Sequence, residues 1–202
     1  MKKLITVILA LACMFTMFSC GETDDGIKNF KAAFDATVDN IDTVTVEVDF
    51  ETAVGTLEAS FVTKYNADKT CEVEYSYEKL LATSEGEAGE WKKTVAGKLT
   101  CDKDGNYSDG GDVAGSNAFV TGAKINLDAK KITYTISGNV LTANVKAENT
   151  NAVLGEEIAA DVQLIVSMTS DGKISSYTMS YETEQGAATV VCSYAYKAAA
   201  AE

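Results

Sequence analysis

Residues 162–196, VQLIVSMTSDGKISSYTMSYETEQGAATVVCSYAY, decide the fold of this chain. Apolar and polar residues alternate along the stretch, and this period of two predicts half-buried β-strands. Asp171-Gly172 and Gln185-Gly186 interrupt the alternation, and both pairs are typical of tight hairpin turns. The stretch therefore predicts three consecutive antiparallel strands.

The register of such hairpins can be tested by arithmetic. In an antiparallel pair the two residue numbers have a constant sum, and the apolar faces must coincide. Turns centred on Asp171-Gly172, Gln185-Gly186, Gly138-Asn139 and Ala129-Lys130 all satisfy this test. The predicted partners are Tyr177/Val166, Met179/Leu164 and Tyr181/Val162; Tyr181/Val190, Met179/Cys192 and Tyr177/Tyr194; Ile136/Leu141, Tyr134/Ala143 and Ile132/Val145; Leu127/Ile132 and Ile125/Tyr134.

The same period extends over most of the chain and predicts ten strands, at 44–50, 57–65, 71–81, 90–101, 118–127, 131–137, 140–147, 158–169, 174–183 and 187–197. Before them, apolar residues spaced by three and four over 27–41 predict one amphipathic helix with Asp25 as N-cap. We expect a mainly β domain: a single long antiparallel meander that forms a curved half-barrel or an up-and-down barrel, with the helix on its concave face.

The first twenty residues predict a location. Lys2 and Lys3 precede an apolar run, 4–18, which fits the core of a signal peptide and is short for a membrane span. The run ends in Met17-Phe18-Ser19-Cys20, which resembles the lipobox of bacterial lipoproteins. The resemblance implies that residues 1–19 are removed and that Cys20 is lipidated. It places the protein in the cell envelope, lipid-anchored on the extracytoplasmic side of a bacterial membrane. The polar residues after the cysteine predict that 20–26 form the anchor and a solvated tether, and the length and composition predict a single domain over 27–202.

Composition excludes several functions. All 17 basic residues are lysines, the chain has no Arg, His or Pro, and the formal net charge is −13. The charge opposes nucleic-acid binding, and the missing His removes imidazole-assisted nucleophiles and imidazole metal sites. The acids at Glu156-Glu157 and at Glu85, Glu87 and Glu90 lie in polar loops, where carboxylates are usually solvated. We expect no enzyme activity and no cofactor; a hydrolase that uses carboxylates is the least favoured hypothesis.

Aromatic residues collect on the apolar face of the predicted strands. Buried phenolic hydroxyls need hydrogen-bond partners, so a face this rich in tyrosine favours a cavity that holds water or an amphipathic ligand. The alternative is an ordinary filled core in which the hydroxyls bond to backbone or lie at the rim. The predicted ligand-lining residues are Phe61, Tyr75, Tyr77, Trp91, Tyr134, Tyr177, Tyr181 and Tyr194.

The order of elements resembles the LolA/LppX-type family of lipid-carrying proteins, in which a curved antiparallel half-barrel and helices enclose an acyl-chain cavity. This resemblance implies a hydrophobic small molecule or lipid as partner. A closed lipocalin-like calyx is the alternative shape, and a structural or surface-interaction lipoprotein without a ligand is the alternative function.

Two further sites follow from the sequence. If 71–81 and 90–101 form a hairpin in which the numbers of paired residues add up to 172, Cys71 lies opposite Cys101. A disulfide and two free, packed thiols are both possible there. The loop that follows opens like a calcium loop, with Asp102, Asp104 and Asn106 as oxygen donors. Tyr107 and Val113 occupy its glycine and bidentate-acid positions, so an ordinary turn is the favoured interpretation and no metal site is expected.

Overall fold

A computed structural model describes residues 25–37, 40–81, 90–103, 108 and 125–197. It contains helix α1 (Asp25–Thr37), strands β1 (Ile41–Thr52), β2 (Gly55–Tyr65), β3 (Cys71–Leu80) and β4 (Lys92–Cys101), then β5 (Ile132–Ser137) and β6 (Val140–Val145). A 3-10 turn (Ala147–Asn149) and a short helix α2 (Thr150–Leu154) follow. The chain closes with β7 (Val162–Met168), β8 (Ile174–Thr183) and β9 (Gly186–Tyr196).

The nine strands form one antiparallel sheet in the order β4-β3-β2-β1-β9-β8-β7-β6-β5. Strands that follow each other in sequence pair with each other, except β4 and β5, which form the two edges of the described sheet. In addition, β1 pairs with β9. The sheet is therefore open, as in a half-barrel, and the predicted mainly β antiparallel class is confirmed.

The registers at two turns are confirmed pair by pair. β5 and β6 pair Tyr134 with Ala143, and β7 and β8 pair Leu164 with Met179, as the sums predict. At the second of these turns Gly172 adopts a φ of 79°, and its N–H donates to the Thr169 carbonyl at 3.1 Å. Left-handed backbone of this kind is the reason that glycine marks the turn in the sequence.

The register predicted around Gln185-Gly186 is wrong by two residues. Met179 lies opposite Val190 and Tyr177 opposite Cys192, because the turn is Glu184-Gln185 and Gly186 already belongs to β9. The Thr183 hydroxyl stabilises this turn: it accepts from the Gln185 N–H at 3.2 Å and donates to the Gly186 carbonyl at 3.2 Å. A shift of two residues preserves the side-chain period, so the apolar face was assigned correctly.

Two predicted boundaries are also wrong, and one helix was not predicted. Residues 118–124 of the predicted strand 118–127 lie outside the described residues, and 125–127 form no strand. The Asn126 N–H donates to the Val153 carbonyl instead, so the pairs Leu127/Ile132 and Ile125/Tyr134 do not form. The helix ends at Thr37 rather than residue 41, and Ile41 begins β1. Helix α2 was not predicted; buried Thr150 holds its connection by accepting from the Ile158 N–H at 3.0 Å.

The core lies on one face of the sheet, beneath α1. Ile27, Phe30 and Ala33 are the buried positions of the helix, and the Phe34 ring lies 6.4 Å from Tyr177 on β8. A Cβ at Gly26 would be 2.9 Å from Ile136 Cδ1, so the helix also approaches β5. Helix α1 therefore covers the β5–β9 side of the apolar face.

The predicted pairing of Cys71 with Cys101 is present in the register of β3 and β4. Both residues are free thiols in the structure, as is Cys192. Burial raises the pKa of Cys71, which disfavours its thiolate.

A disulfide between these cysteines stays a prediction. In the oxidising compartment that the leader predicts, we expect a chain beginning at Gly21 to expose one reactive thiol after denaturation, and three after reduction. Thiol titration checks this, and the Cys192→Ser variant should lose the single reactive group. Three reactive thiols before reduction would contradict the disulfide.

Candidate functional site

The apolar face divides into two regions that differ in burial. On the β5–β9 side, Leu141, Val145, Leu164 and Val166 are completely buried beneath α1. On the β1–β4 side, six apolar and aromatic residues remain only half-buried at the end of the sheet nearest the β1–β2 hairpin. We call these residues the aromatic patch: Phe50, Leu57, Tyr75, Tyr77, Trp91 and Val95.

Cross-strand neighbours organise the aromatic patch. Tyr75 lies opposite Gly97, and a Cβ at Gly97 would be 2.5 Å from the Tyr75 hydroxyl, so glycine lets this side chain lie against β4. The Tyr75 and Tyr77 rings stack with centroids 6.2 Å apart. Tyr77 lies opposite Val95 on β4 and Ala59 on β2, which leaves an unbroken apolar surface across three strands.

Trp91 closes one end of the patch. The Leu81 N–H donates to the Trp91 carbonyl at 3.0 Å, which extends the β3–β4 pairing beyond Lys92. A Cβ at Gly55 would be 2.6 Å from the Trp91 ring, so the indole reaches the β1–β2 hairpin. The Lys92 ammonium lies 5.1 Å from the centre of the same ring, a cation–π contact.

The predicted ligand-lining residues are therefore divided between the two regions. Tyr75, Tyr77 and Trp91 belong to the aromatic patch, and buried Phe61 lies beside them, opposite Tyr75. The others lie on the helix-covered side: Tyr134, Tyr177, Tyr181 and Tyr194.

The deepest tyrosines of the helix-covered side have partners inside the protein. Tyr177 is 1% exposed, and its ring lies 6.3 Å from that of Tyr194. Burial raises the pKa of the neighbouring Cys192 thiol to about 11 and also raises the pKa of Tyr194. No buried side-chain oxygen among the described residues lacks a hydrogen-bond partner, so the buried Tyr177 hydroxyl needs no ligand or water as a partner.

The register of β3 and β4 also brings together two residues that we did not select from the sequence. Lys79 lies directly opposite Lys93. This pair is two residues along the strands from Tyr77 and Val95, and therefore on the same face of the sheet. Both lysines are exposed. The sum of 172 that predicts the cysteine pair also predicts this lysine pair, so the signal was present in the sequence.

A separate cleft of about 380 Å³ lies between α1 and the segment before β5. Its floor is apolar, from buried Ile27 and Leu127, and its rim is polar. None of the predicted ligand-lining residues contributes to it. The lining residues are Ile27, Lys28, Lys31, Asn126, Leu127, Asp128 and Ala129.

The remaining candidates form no site in the described parts of the chain. Asp102 follows β4, and its carbonyl accepts from the Cys101 thiol at 3.3 Å, whereas Asp104 and Asn106 lie outside the described residues. No group of three Cys, Asp or Glu side chains among the described residues is placed to hold a metal ion. Glu156, Glu157 and Glu90 are exposed, and Glu85 and Glu87 lie outside the described residues.

Comparison with known proteins identifies no family for this chain. No protein-family model matches it, and no curated protein matches it. Among the solved structures that match is the crystal structure of LprF from Mycobacterium bovis, with 11% sequence identity and a TM-score of 0.43. The match covers 91% of this chain and 99% of that one.

The helices of the described residues are too short or too polar to be membrane spans.

Proposed function

We propose that the chain is a non-enzymatic lipoprotein, anchored through Cys20 on the extracytoplasmic side of a bacterial membrane, which binds a hydrophobic or amphipathic ligand on its concave aromatic face. The proposed lining residues are those named above: Phe61, Tyr75, Tyr77, Trp91, Tyr134, Tyr177, Tyr181 and Tyr194. No cofactor takes part.

The half-buried state of the aromatic patch carries this proposal. The helix-covered side of the same sheet has completely buried aliphatic residues, whereas Phe50, Tyr77 and Trp91 retain contact with solvent. Removing apolar surface from water is worth roughly 25 cal/mol per Å², so an acyl chain laid across the patch gains free energy without unfolding any element. Contiguous exposed apolar surface of this kind is typical of binding sites.

The site has a defined path along the sheet. The patch extends from Trp91 through Tyr77 to Tyr75, and buried Phe61 lies next to it, between Tyr75 on β3 and Val46 on β1. A ligand that extends further reaches Tyr194 on β9 and then Tyr177 on β8, whose ring contacts both Tyr194 and Phe34 of α1. We propose first contact on the patch, with the helix-covered tyrosines forming the inner end of the site.

One observation favours the alternative, a structural or surface-interaction lipoprotein with a filled core. Across the described residues, no buried side-chain nitrogen or oxygen lacks a hydrogen-bond partner. Among the described residues of the helix-covered side, every buried polar side-chain group therefore has a partner within the protein and needs no ligand. The alternative predicts that nothing binds to the aromatic patch.

Ligand carriage can be tested on the chain that begins at Gly21. We expect native mass spectrometry or organic extraction to find a co-purified amphiphile, and we expect a fluorescent fatty-acid probe to bind. The double variant Tyr75→Ala/Tyr77→Ala should lose the probe, while Ser76→Ala, on the opposite face between them, should retain it. No co-purified molecule and no probe binding would leave the structural alternative.

The membrane anchor is tested separately. We expect mass spectrometry of the mature N-terminus to find an acylated cysteine at position 20, because the lipobox-like residues 17–20 direct both cleavage and lipidation. Cys20→Ala should move the protein out of the membrane fraction or leave its leader uncleaved. An unmodified N-terminus that begins elsewhere would exclude the lipoprotein assignment.

A further inference from the structure

We propose that Lys79 and Lys93 bind the anionic head of the ligand, so that the protein selects an acyl chain carrying a carboxylate or phosphate. The inference rests on the proposed function, whose site it extends. It assigns a head-group contact at the hairpin end of the aromatic patch, where sequence reasoning selected only aromatic residues.

The pairing of the two lysines is unusual for a sheet. Like charges directly opposite each other on neighbouring strands destabilise the pair. On the outer face of β3, by contrast, acid faces lysine: Lys98 lies opposite Glu74 and forms an ion pair with it, and Lys64 lies opposite Glu72. Across the described registers, the outer face has one like-charge pair, Asp49 opposite Glu58, and it lies between β1 and β2. Only the inner face of the β2–β4 registers places lysine against lysine.

No ion pair compensates this juxtaposition within the described residues. The salt bridges there involve Lys92, Lys98, Lys146 and Lys173, and neither Lys79 nor Lys93 takes part in one. Acidic residues outnumber lysines 30 to 17 in the chain, so acidic partners are abundant. Two exposed ammonium groups on one face of an acidic protein form a local attractive site for an anion.

The surroundings of the lysine pair define the rest of the ligand. Tyr77 and Val95 lie on one side of the pair, and Leu81 and Trp91 lie on the other. The aliphatic stems of lysines lie along apolar surface while their ammonium groups stay in water. An acyl chain can therefore contact the aromatic patch while its charged end meets the two ammonium groups at the solvent boundary.

The experiment compares ligands that differ only in their heads. Dodecanoate, dodecyl phosphate and dodecan-1-ol are offered below their aggregation concentrations to the mature full chain, purified in a non-ionic detergent, and bound ligand is counted by native mass spectrometry. We expect both anions to bind more tightly than the alcohol. If an anionic oxygen group is all that the site requires, dodecanoate and dodecyl phosphate should exceed the alcohol in affinity by similar factors.

The variants assign the preference to the lysine pair. Lys79→Gln/Lys93→Gln should weaken the binding of both anions by about tenfold, because it removes two exposed ion pairs, and should leave the binding of dodecan-1-ol unchanged. Lys64→Gln/Lys98→Gln removes the same charge from the outer face and should change neither the binding of the anions nor that of dodecan-1-ol. Higher salt should reduce the preference for anions.

The outcomes separate this inference from the proposed function. Equal binding of all three probes, or an equal loss in both double variants, would overturn the head-group contact while leaving ligand carriage intact. Binding of the anions that is unaffected by Lys79→Gln/Lys93→Gln would also overturn the head-group contact. Failure of every probe to bind would overturn the proposed function itself.

Discussion

Met179→Asp is expected to cost roughly 3 to 5 kcal/mol of unfolding free energy, the range for a charge left buried without a partner. Met179 is 7% exposed and lies between Leu164 on β7 and Val190 on β9, so no cation or hydrogen-bond donor faces it in the register. Domains of this size are stable by about 5 to 15 kcal/mol, so the variant should be largely unfolded or strongly shifted in urea. Urea denaturation followed by circular dichroism measures the effect.

Ser180→Asp is the matched control. Ser180 points to the opposite face, where its partners are Gln163 and Thr189 and where the carboxylate stays hydrated. We expect a change within about 0.5 kcal/mol, as for most surface substitutions. Equal losses in the two variants would mean that the faces of β8 are assigned wrongly.

Gly186→Ala should lower the free energy of unfolding by roughly 3 kcal/mol, because it disturbs the pairing of β9 with β1. Gly186 has a φ of 151°, where L side chains are strained, and a Cβ there would lie 2.0 Å from the Glu51 carbonyl oxygen. Strain at such a φ costs about 1 to 3 kcal/mol, and the overlap with backbone adds a comparable amount because a strand cannot move aside as a flexible side chain can.

The control for this variant separates strain from overlap. Gly138 has a φ of 57°, and nothing lies within 4 Å of a Cβ placed there. Gly138→Ala should therefore cost only the local strain, about 1 kcal/mol. Thermal melting of both variants measures the difference, and a larger loss at Gly138 would contradict the close approach of β9 to β1.

Short-range features of the fold were predictable because they depend on neighbouring residues. Asp171-Gly172 and Gly138-Asn139 set the registers of their hairpins, and the alternation of apolar residues set the face of every strand in them. The β8–β9 register was missed because the Thr183 hydroxyl selects Glu184-Gln185 as the turn, and a glycine expected in the turn was needed for close packing instead.

Long-range features were not predictable by the same argument. No turn joins β1 to β9, so their pairing has no local signal. Burial likewise depends on where α1 lies, and the alternation alone could not distinguish Tyr177, which is packed beneath Phe34, from Tyr77, which remains half-buried. The candidate site therefore required the sheet order before its open and covered parts could be separated.

The position of β9 beside β1 has a consequence for how the chain folds. The two strands at the centre of the sheet are separated by nearly the whole described chain, so the seam between them can close only after the last strand has been synthesised. Until then β1–β4 and β5–β8 are two separate meanders, each with an unpaired edge. Contacts so distant in sequence slow folding, and we expect refolding on a timescale of milliseconds to seconds, with truncations before residue 186 leaving β1 exposed to aggregation.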